Sequence, residues 1–90
     1  MQKILTIIHL KGCSTQQYDS FSMLKTDATK HLLNERLHHF VSIGDEEILI
    51  ADVWKSTAVF SQYIDILMPL ALANGFTPKA EINTLYQELS

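Results

Sequence analysis

The sequence predicts an α+β domain in which two helices cover one face of a four-stranded antiparallel sheet. Segments 3–10 (KILTIIHL) and 48–54 (ILIADVW) are short and apolar, as strands are, and they alternate with longer segments whose apolar residues have helical spacing. The resulting order is strand, helix, strand, strand, helix, strand. Both strands are apolar on both faces, whereas a sheet with one solvated face should alternate apolar and polar residues. We therefore expect helices on one face and a second copy of the chain, in a homodimer, on the other.

Size and charge fit a single domain of residues 1–90. The chain is 47% apolar and 19% charged, as folded domains are. A net charge of -3, with seven Lys and Arg scattered singly, predicts no nucleic-acid partner and no binding to an anionic membrane. No apolar run is as long as a membrane span, and the first one lacks a cleavage site for secretion. The single cysteine, Cys13, fits a reducing compartment, so we expect a cytoplasmic protein.

The first helix is expected to begin after the turn at residues 11–13, because Ser14 and Gln17 match a capping box. Its inward positions are predicted to be Tyr18, Phe21 and Leu24. Segment 26–36 can either continue this helix or begin a second one at Asp27, with Ala28, Leu32 and Leu33 inward. The sequence leaves the position of this break open.

Segments 37–43 and 48–54 are expected to pair as a hairpin around the polar turn 44–47. A turn centred on Asp45 and Glu46 sets the register of this pairing. The residues then expected to face each other are Ile43 and Ile48, Val41 and Ile50, and His39 and Asp52.

Ser56 is predicted to cap a second helix that ends at Asn74-Gly75, where glycine suits the left-handed stop. The apolar stripe of this helix consists of Val59, Phe60, Tyr63, Ile64, Leu67, Leu70 and Ala71. Pro69 should kink the helix or end its regular part early. A last strand is predicted at 79–86, with Ala80, Ile82, Thr84 and Tyr86 on one face. Right-handed crossovers then give the spatial strand order 4-1-3-2, a ferredoxin-like sandwich.

A group of residues in the second half of the chain carries a family resemblance. They are Asp52-Val53-Trp54-Lys55-Ser56, Phe60, Tyr63, Leu67-x-Pro69-x-x-Leu72 and Gly75, together with Tyr18 in the first helix and His39 thirteen residues before Asp52. This pattern resembles small proteins of the dimeric α+β barrel superfamily, which includes relatives of antibiotic-biosynthesis monooxygenases. The resemblance implies two ferredoxin-like subunits with facing sheets, and pockets between sheet and helices.

The chain also departs from the better-characterised monooxygenases of that superfamily. They carry Glu, Trp and a helix His where this chain has Asp52, Trp54 and Tyr63. The missing helix His removes the axial ligand that haem degradation would need. The group that the chain resembles most is largely without an assigned activity.

His39 and Asp52 are the candidate catalytic residues. A carboxylate beside an imidazole fixes its tautomer and raises its basicity, as in general-base pairs. Trp54 shares the sheet face of Asp52, and Tyr18 and Tyr63 complete a candidate ligand pocket. The same residues also fit a structural role, the pair as a cross-strand ion pair and the aromatics, with Phe21 and Phe76, as core.

Other chemistries lack a supporting pattern. No His, Cys or carboxylate residues have ligand spacing, so we expect no metal and no cofactor. His38 and His39 should point to opposite faces of a strand. Cys13 lies where a helix dipole would lower the pKa of a thiol, but it has no base nearby in the sequence and is interpreted as a turn residue. No phosphate loop, nucleophile elbow or dinucleotide fingerprint is present.

Two functions fit these residues. The first is a cofactor-free, monooxygenase-like enzyme acting on a small aromatic or carbonyl compound, with His39 as base and Asp52 orienting it. The alternative is a non-enzymatic small-ligand-binding or assembly module in which the same residues hold the dimer. A closed, filled interior would favour the alternative.

Overall fold

A computed structural model describes residues 2–89 as a sheet with a layer of helices on one side. Its strands are β1 (Ile4–Lys11), β2 (Arg36–Ile43), β3 (Glu47–Trp54) and β4 (Lys79–Thr84), and its helices are α1 (Thr15–Thr29), a 3-10 helix (Lys30–Glu35) and α2 (Thr57–Ala73). The spatial order is β2-β3-β1-β4 and all neighbours are antiparallel. The predicted fold class and strand order are therefore confirmed.

The hairpin of β2 and β3 has the predicted register. Its paired residues are Ile43 and Ile48, Val41 and Ile50, and His39 and Asp52. The turn is closed by the Gly44 backbone N–H, which donates to the Glu47 carbonyl at 2.9 Å. An irregularity between Arg36 and His38 shifts the register at the start of β2.

The sheet has an inner face toward the helices and an outer face away from them. The inner face is buried on β1 and β3 through Ile4, Thr6, Ile8, Leu10, Ile48, Ile50, Asp52 and Trp54. The outer face consists of Leu5, Ile7 and His9 of β1, Leu49, Ala51 and Val53 of β3, His38, Phe40 and Ser42 of β2, and Lys79, Glu81 and Asn83 of β4. No helix covers the apolar centre of this outer face in residues 2–89.

Helix α1 begins with the predicted capping box, because the Gln17 N–H donates to Ser14 Oγ at 3.1 Å and the Ser14 N–H donates to Gln17 Oε1 at 2.9 Å. The expectation that Leu24 points inward is wrong: Leu24 is exposed and Lys25 is buried instead. Seven residues separate Lys25 from Tyr18, which leaves the two within about 20° on the helix surface, whereas Leu24 lies about 120° away.

The open question of segment 26–36 is resolved by a change of helix type. Helix α1 ends at Thr29, whose Oγ1 donates to the Lys25 carbonyl at 2.6 Å, and the 3-10 helix follows directly. Short 3-10 helices of this kind are frequent at the ends of α-helices. A second α-helix from Asp27 is therefore not formed, and Ala28 is exposed while Leu32 is buried.

Helix α2 begins at the predicted cap, where the Val59 N–H donates to Ser56 Oγ at 3.4 Å. It continues through Pro69 to Ala73, so of the two outcomes expected at this proline, a kink or an early end, the early end does not occur. Gly75 follows at φ +88°, the left-handed stop. Over residues 2–89, no helix combines the length and the apolar character that crossing a membrane requires.

Strand β4 is shorter than predicted. It ends at Thr84, which pairs with Ile4, the first residue of β1, and one further backbone hydrogen bond follows, from the Leu85 N–H to the Lys3 carbonyl at 3.1 Å. Tyr86 therefore lies outside the sheet, with its side chain almost fully exposed. The segment that follows turns across one end of the outer face, where Glu88 accepts hydrogen bonds from Lys3 Nζ at 2.7 Å and from His38 Nε2 at 2.8 Å.

Candidate functional site

His39 and Asp52 form the predicted contact on the inner face. Neighbouring strands place the two residues opposite each other, and His39 Nδ1 lies 2.5 Å from Asp52 Oδ1. The Asp52 side chain is fully buried, while the His39 side chain is 30% exposed. The pair therefore connects a buried carboxylate to an imidazole at the edge of the sheet.

The pair fixes the protonation pattern of the imidazole. An ionised carboxylate can only accept, so His39 Nδ1 donates in this hydrogen bond, and in the neutral imidazole Nε2 is then the acceptor. An imidazole held in this tautomer can take a proton from a bound molecule at Nε2. The geometry thus fits both a general base and a structural ion pair.

Aromatic side chains pack beside Asp52. Trp54 lies two residues after Asp52 on the same strand face, as predicted, and is fully buried. Its ring centroid is 4.8 Å from that of Tyr63 and 6.1 Å from that of Phe60, both on the inward stripe of α2. Strand parity and helix periodicity together bring this aromatic wall to the carboxylate.

Four buried polar atoms in this interior have no hydrogen-bond partner in the described part of the chain: Thr6 Oγ1, Asp52 Oδ2, Trp54 Nε1 and Tyr63 Oη. Thr6 is the residue of β1 paired with Asp52. Leaving such an atom unsatisfied costs roughly 1–3 kcal/mol, so buried polar groups normally bind a partner, either water or a ligand. Nothing in the sequence around Thr6 indicates that it belongs to this interior, because only the pairing of β1 with β3 brings it next to Asp52.

Both tyrosines of the candidate pocket are present as neutral phenols. Burial raises the pKa of Tyr63 well above its usual range, and the negative charge of Asp52 raises it further while Arg36 opposes the change. Burial also raises the pKa of Tyr18. Both hydroxyls can therefore donate hydrogen bonds to a bound molecule at physiological pH.

Lys25 is a buried residue next to the candidate site that the sequence did not predict. Lys25 is 2% exposed, and its Nζ donates to the Tyr18 hydroxyl at 3.5 Å. Burial lowers the pKa of Lys25 to about 8, an effect that the charge of Asp52 opposes and that of Arg36 reinforces. The spacing of seven residues from Tyr18 is the signal that could have identified it.

We predict that the burial of Lys25 makes stability depend on pH. The pKa is about 8 in the folded chain and 10.5 in its usual range, so between these values the unfolded chain holds a proton that the folded chain has lost. The free energy of unfolding should therefore rise with pH in this window, by up to roughly 1.4 kcal/mol per pH unit. Below about pH 8 the folded chain holds the buried charge, and its whole destabilising effect is present.

The comparison variant is Lys25→Met, which removes the titratable amino group and keeps an unbranched side chain. It should be more stable than the wild type at pH 7 by roughly 1–3 kcal/mol, and this difference should shrink as the pH rises to about 10. Urea unfolding followed by circular dichroism measures both. Parallel pH profiles for the two proteins would contradict the prediction.

The remaining titratable candidates lie elsewhere. Cys13 is buried, and burial raises the pKa of its thiol, which opposes the nucleophilic role considered for it. His9 is on the outer face, where hydrogen bonds with Glu81 at 2.7 Å and Glu47 at 3.3 Å raise its pKa. His38 also points outward, away from His39, as strand parity predicts.

The interior around Asp52 is closed. A surface pocket of about 570 Å³ is lined by Lys3, Glu35, Leu37, Lys55, Ser56 and Val59, none of which belongs to the candidate site. Asp52, Trp54 and Tyr63 are all fully buried. A molecule can reach the carboxylate only if the structure opens locally, and the partly exposed His39 marks the accessible edge.

No family model matches the chain, and no curated protein sequence matches it at a significant level. Solved structures do match it. SnoaB, a cofactor-independent oxygenase from Streptomyces nogalater, has 13% identity and a TM-score of 0.73, over 99% of this chain and 98% of that one. NE2512, a protein of unknown function from Nitrosomonas europaea, has 15% identity and a TM-score of 0.69, over 100% and 96%.

A third similar structure is a monooxygenase from the gene ActVA-Orf6 of Streptomyces coelicolor, in complex with the ligand Nanaomycin D. It has 11% identity and a TM-score of 0.65, over 99% of this chain and 92% of that one. The chain thus has the fold of the antibiotic-biosynthesis monooxygenase-like proteins, the ferredoxin-like fold that the sequence predicted. At these identities the likeness establishes the fold.

Proposed function

We propose that this chain is a cofactor-free, monooxygenase-like enzyme acting on a small aromatic or carbonyl compound bound between the sheet and the helices. The observation that carries the proposal is the buried Asp52 carboxylate, which binds His39 through one oxygen and leaves the other unpartnered, within residues 2–89, beside Trp54 and Tyr63. The likeness of the fold to a cofactor-independent oxygenase and to a monooxygenase supports it.

Oxygenation without a cofactor requires the protein to supply a base. A monooxygenase without a cofactor takes all its electrons from the substrate. A methylene group of the substrate then reacts with dioxygen to give a carbonyl group, and the second oxygen atom leaves as water with the two methylene hydrogens. Removal of the first of these hydrogens as a proton makes the substrate electron-rich enough to react with dioxygen. General-base catalysis of such a step contributes typically about 10²- to 10⁴-fold.

Each residue then has a role in that step. His39 Nε2 accepts the substrate proton, and Asp52 holds the ring in the tautomer that leaves Nε2 free. Trp54 walls the aromatic part of the substrate, and the hydroxyls of Tyr63 and Tyr18 donate to its oxygens. The low polarity of the closed interior strengthens each of these contacts.

The alternative is a non-enzymatic small-ligand-binding or assembly module. The closed interior favours it, because Trp54, Tyr63 and Phe60 pack against one another and the neighbouring Asp52 side chain is fully buried. In that case the His39–Asp52 pair stabilises the hairpin and the unpartnered atoms bind ordered water.

We also propose that the protein is a homodimer that buries the outer face. The centre of this face is apolar through Leu5, Ile7, Phe40, Leu49 and Ala51, and Phe40 is 63% exposed. Large exposed apolar patches of this kind mark interaction surfaces. A second copy of the chain covers the patch with residues of the same character.

Oxygen uptake tests the enzymatic proposal. The purified protein, with EDTA present, is incubated with a panel of polycyclic aromatic ketones, 1,3-dicarbonyl compounds and phenols in an oxygen-electrode cell. We expect protein-dependent uptake with at least one member, and a loss of roughly 10²-fold or more in His39→Gln because the base is removed.

His38→Gln is the matched control for that experiment. His38 is the neighbouring residue of β2, but it points to the outer face and binds Glu88. It should retain the wild-type rate. Equal rates for His39→Gln and His38→Gln, or binding of panel members without any uptake, would contradict the enzymatic proposal, and the second outcome would favour the ligand-binding module.

A further inference from the structure

Lys25 occupies a position in α1 where an amphipathic helix normally carries an apolar residue. The inward line of this helix consists of Tyr18, Phe21, Lys25 and Thr29, and the lysine among them is 2% exposed. Lysine is almost never this buried unless its charge has a partner. The position therefore requires an explanation beyond packing.

The ammonium has very little to bind inside the protein. Its one hydrogen-bond contact within residues 2–89 is the neutral Tyr18 hydroxyl at 3.5 Å, although an ammonium carries three donors. The rings of Tyr18 and Phe21 lie 5.3 Å and 5.9 Å from Nζ, which adds weak cation–π attraction. A buried ammonium with so few hydrogen-bond partners should bind an anionic atom strongly.

The interior has charges of opposite sign on its two sides. Asp52 lies on the sheet side and Lys25 on the helix side. The negative charge of Asp52 raises the pKa of both Lys25 and Tyr63, and the positive charge of Arg36 lowers both. A ligand that enters this interior when the structure opens locally needs an anionic end toward Lys25. Its other end must offer a proton toward His39 and Asp52.

We propose that Lys25 binds an ionised oxygen of the ligand, with the Tyr18 hydroxyl as a second donor. This inference rests on the proposed function for the location of the ligand, but it requires no oxygenation. Lys25 acts as a substrate-binding cation that stabilises the negative charge left when the proton departs.

The test uses 4-nitrophenol, whose phenolate absorbs visible light and whose neutral form does not, and 4-nitroanisole, which cannot ionise. Binding of both is measured by absorbance and by calorimetry between about pH 5 and 9, the range in which Lys25 is protonated or begins to titrate. Asp52, Arg36, Tyr18 and Tyr63 are the charged or titratable groups that act on this site.

We expect the wild type to bind the phenolate and to lower the pKa of the bound phenol. Lys25→Met should bind phenolate roughly tenfold or more weakly, because a charge-assisted hydrogen bond is lost, and should keep its affinity for 4-nitroanisole. Lys25→Gln should show the same loss and replaces the Met variant if that one does not fold. Lys30→Met, which removes an exposed lysine of the 3-10 helix, is the matched control and should behave as the wild type.

Phenolate affinity that is unchanged in folded Lys25→Met and Lys25→Gln would overturn the inference, as would the absence of phenolate binding by the wild type at millimolar concentration. The outcome is independent of turnover. Phenolate binding through Lys25 without oxygen uptake would uphold this inference and contradict only the enzymatic proposal.

Discussion

Asp52→Asn should fold and lose activity by roughly 10²- to 10⁴-fold. Asn keeps the shape of the side chain, but its amide nitrogen can donate to His39 Nδ1 and so stabilise the tautomer whose proton is on Nε2. That imidazole cannot accept a proton from the substrate at Nε2. Oxygen uptake on the active panel compound, compared with the melting temperature from circular dichroism, measures the two effects separately.

The matched control removes a carboxylate from a similar contact elsewhere. Glu81 binds His9 Nε2 at 2.7 Å on the outer face, so Glu81→Gln also breaks a histidine–carboxylate pair. It should leave the rate unchanged. A lower melting temperature for Asp52→Asn with wild-type rate and ligand affinity would show that the His39–Asp52 pair is structural and would contradict its role in proton transfer.

Ala51→Glu should convert the proposed homodimer to a monomer. Ala51 lies on β3 in the middle of the outer face, paired with Ile7 on one side and Phe40 on the other. Ala51 is half-buried in the single chain, so a glutamate at this position should lower the free energy of unfolding of the monomer only slightly. In the dimer an unpaired charge enters an apolar interface at a cost of roughly 3 kcal/mol or more, which weakens association at least about a hundredfold.

Sedimentation velocity at micromolar concentration measures this change. Ala28→Glu makes the same substitution at an exposed position of α1, away from the sheet, and should remain a dimer. A wild-type protein that sediments as a stable monomer would contradict both the homodimer and the arrangement of two facing sheets.

Local sequence signals predicted most of the fold. The capping box of Ser14 and Gln17, the cap at Ser56 and the stop at Gly75 depend on a few neighbouring residues, and all three are observed. The hairpin register followed from a turn of fixed length, which is why the pairing of His39 with Asp52 was correct. Interactions that are short in sequence can be derived without knowledge of the whole chain.

The errors occurred where local preference competed with tertiary packing. Leu24 was expected inward because it is apolar, yet the rotation of α1 is set by the large rings of Tyr18 and Phe21, and this brings Lys25 inside. The last strand ends at Thr84, two residues before the predicted end. The 3-10 helix at 30–35 decides a break that the sequence left open. None of these effects is visible in the local pattern.

Periodicity, caps and turn length were enough to derive the order of elements, the sheet topology and the pairing of His39 with Asp52. The composition of the interior, in contrast, depends on how the elements pack. Thr6 reaches Asp52 through β1, Tyr63 through α2 and Lys25 through α1, so the site is assembled from residues distant in sequence. The burial and electrostatic interactions that define the site arise only on packing, because the field at a buried charge depends on every group around it.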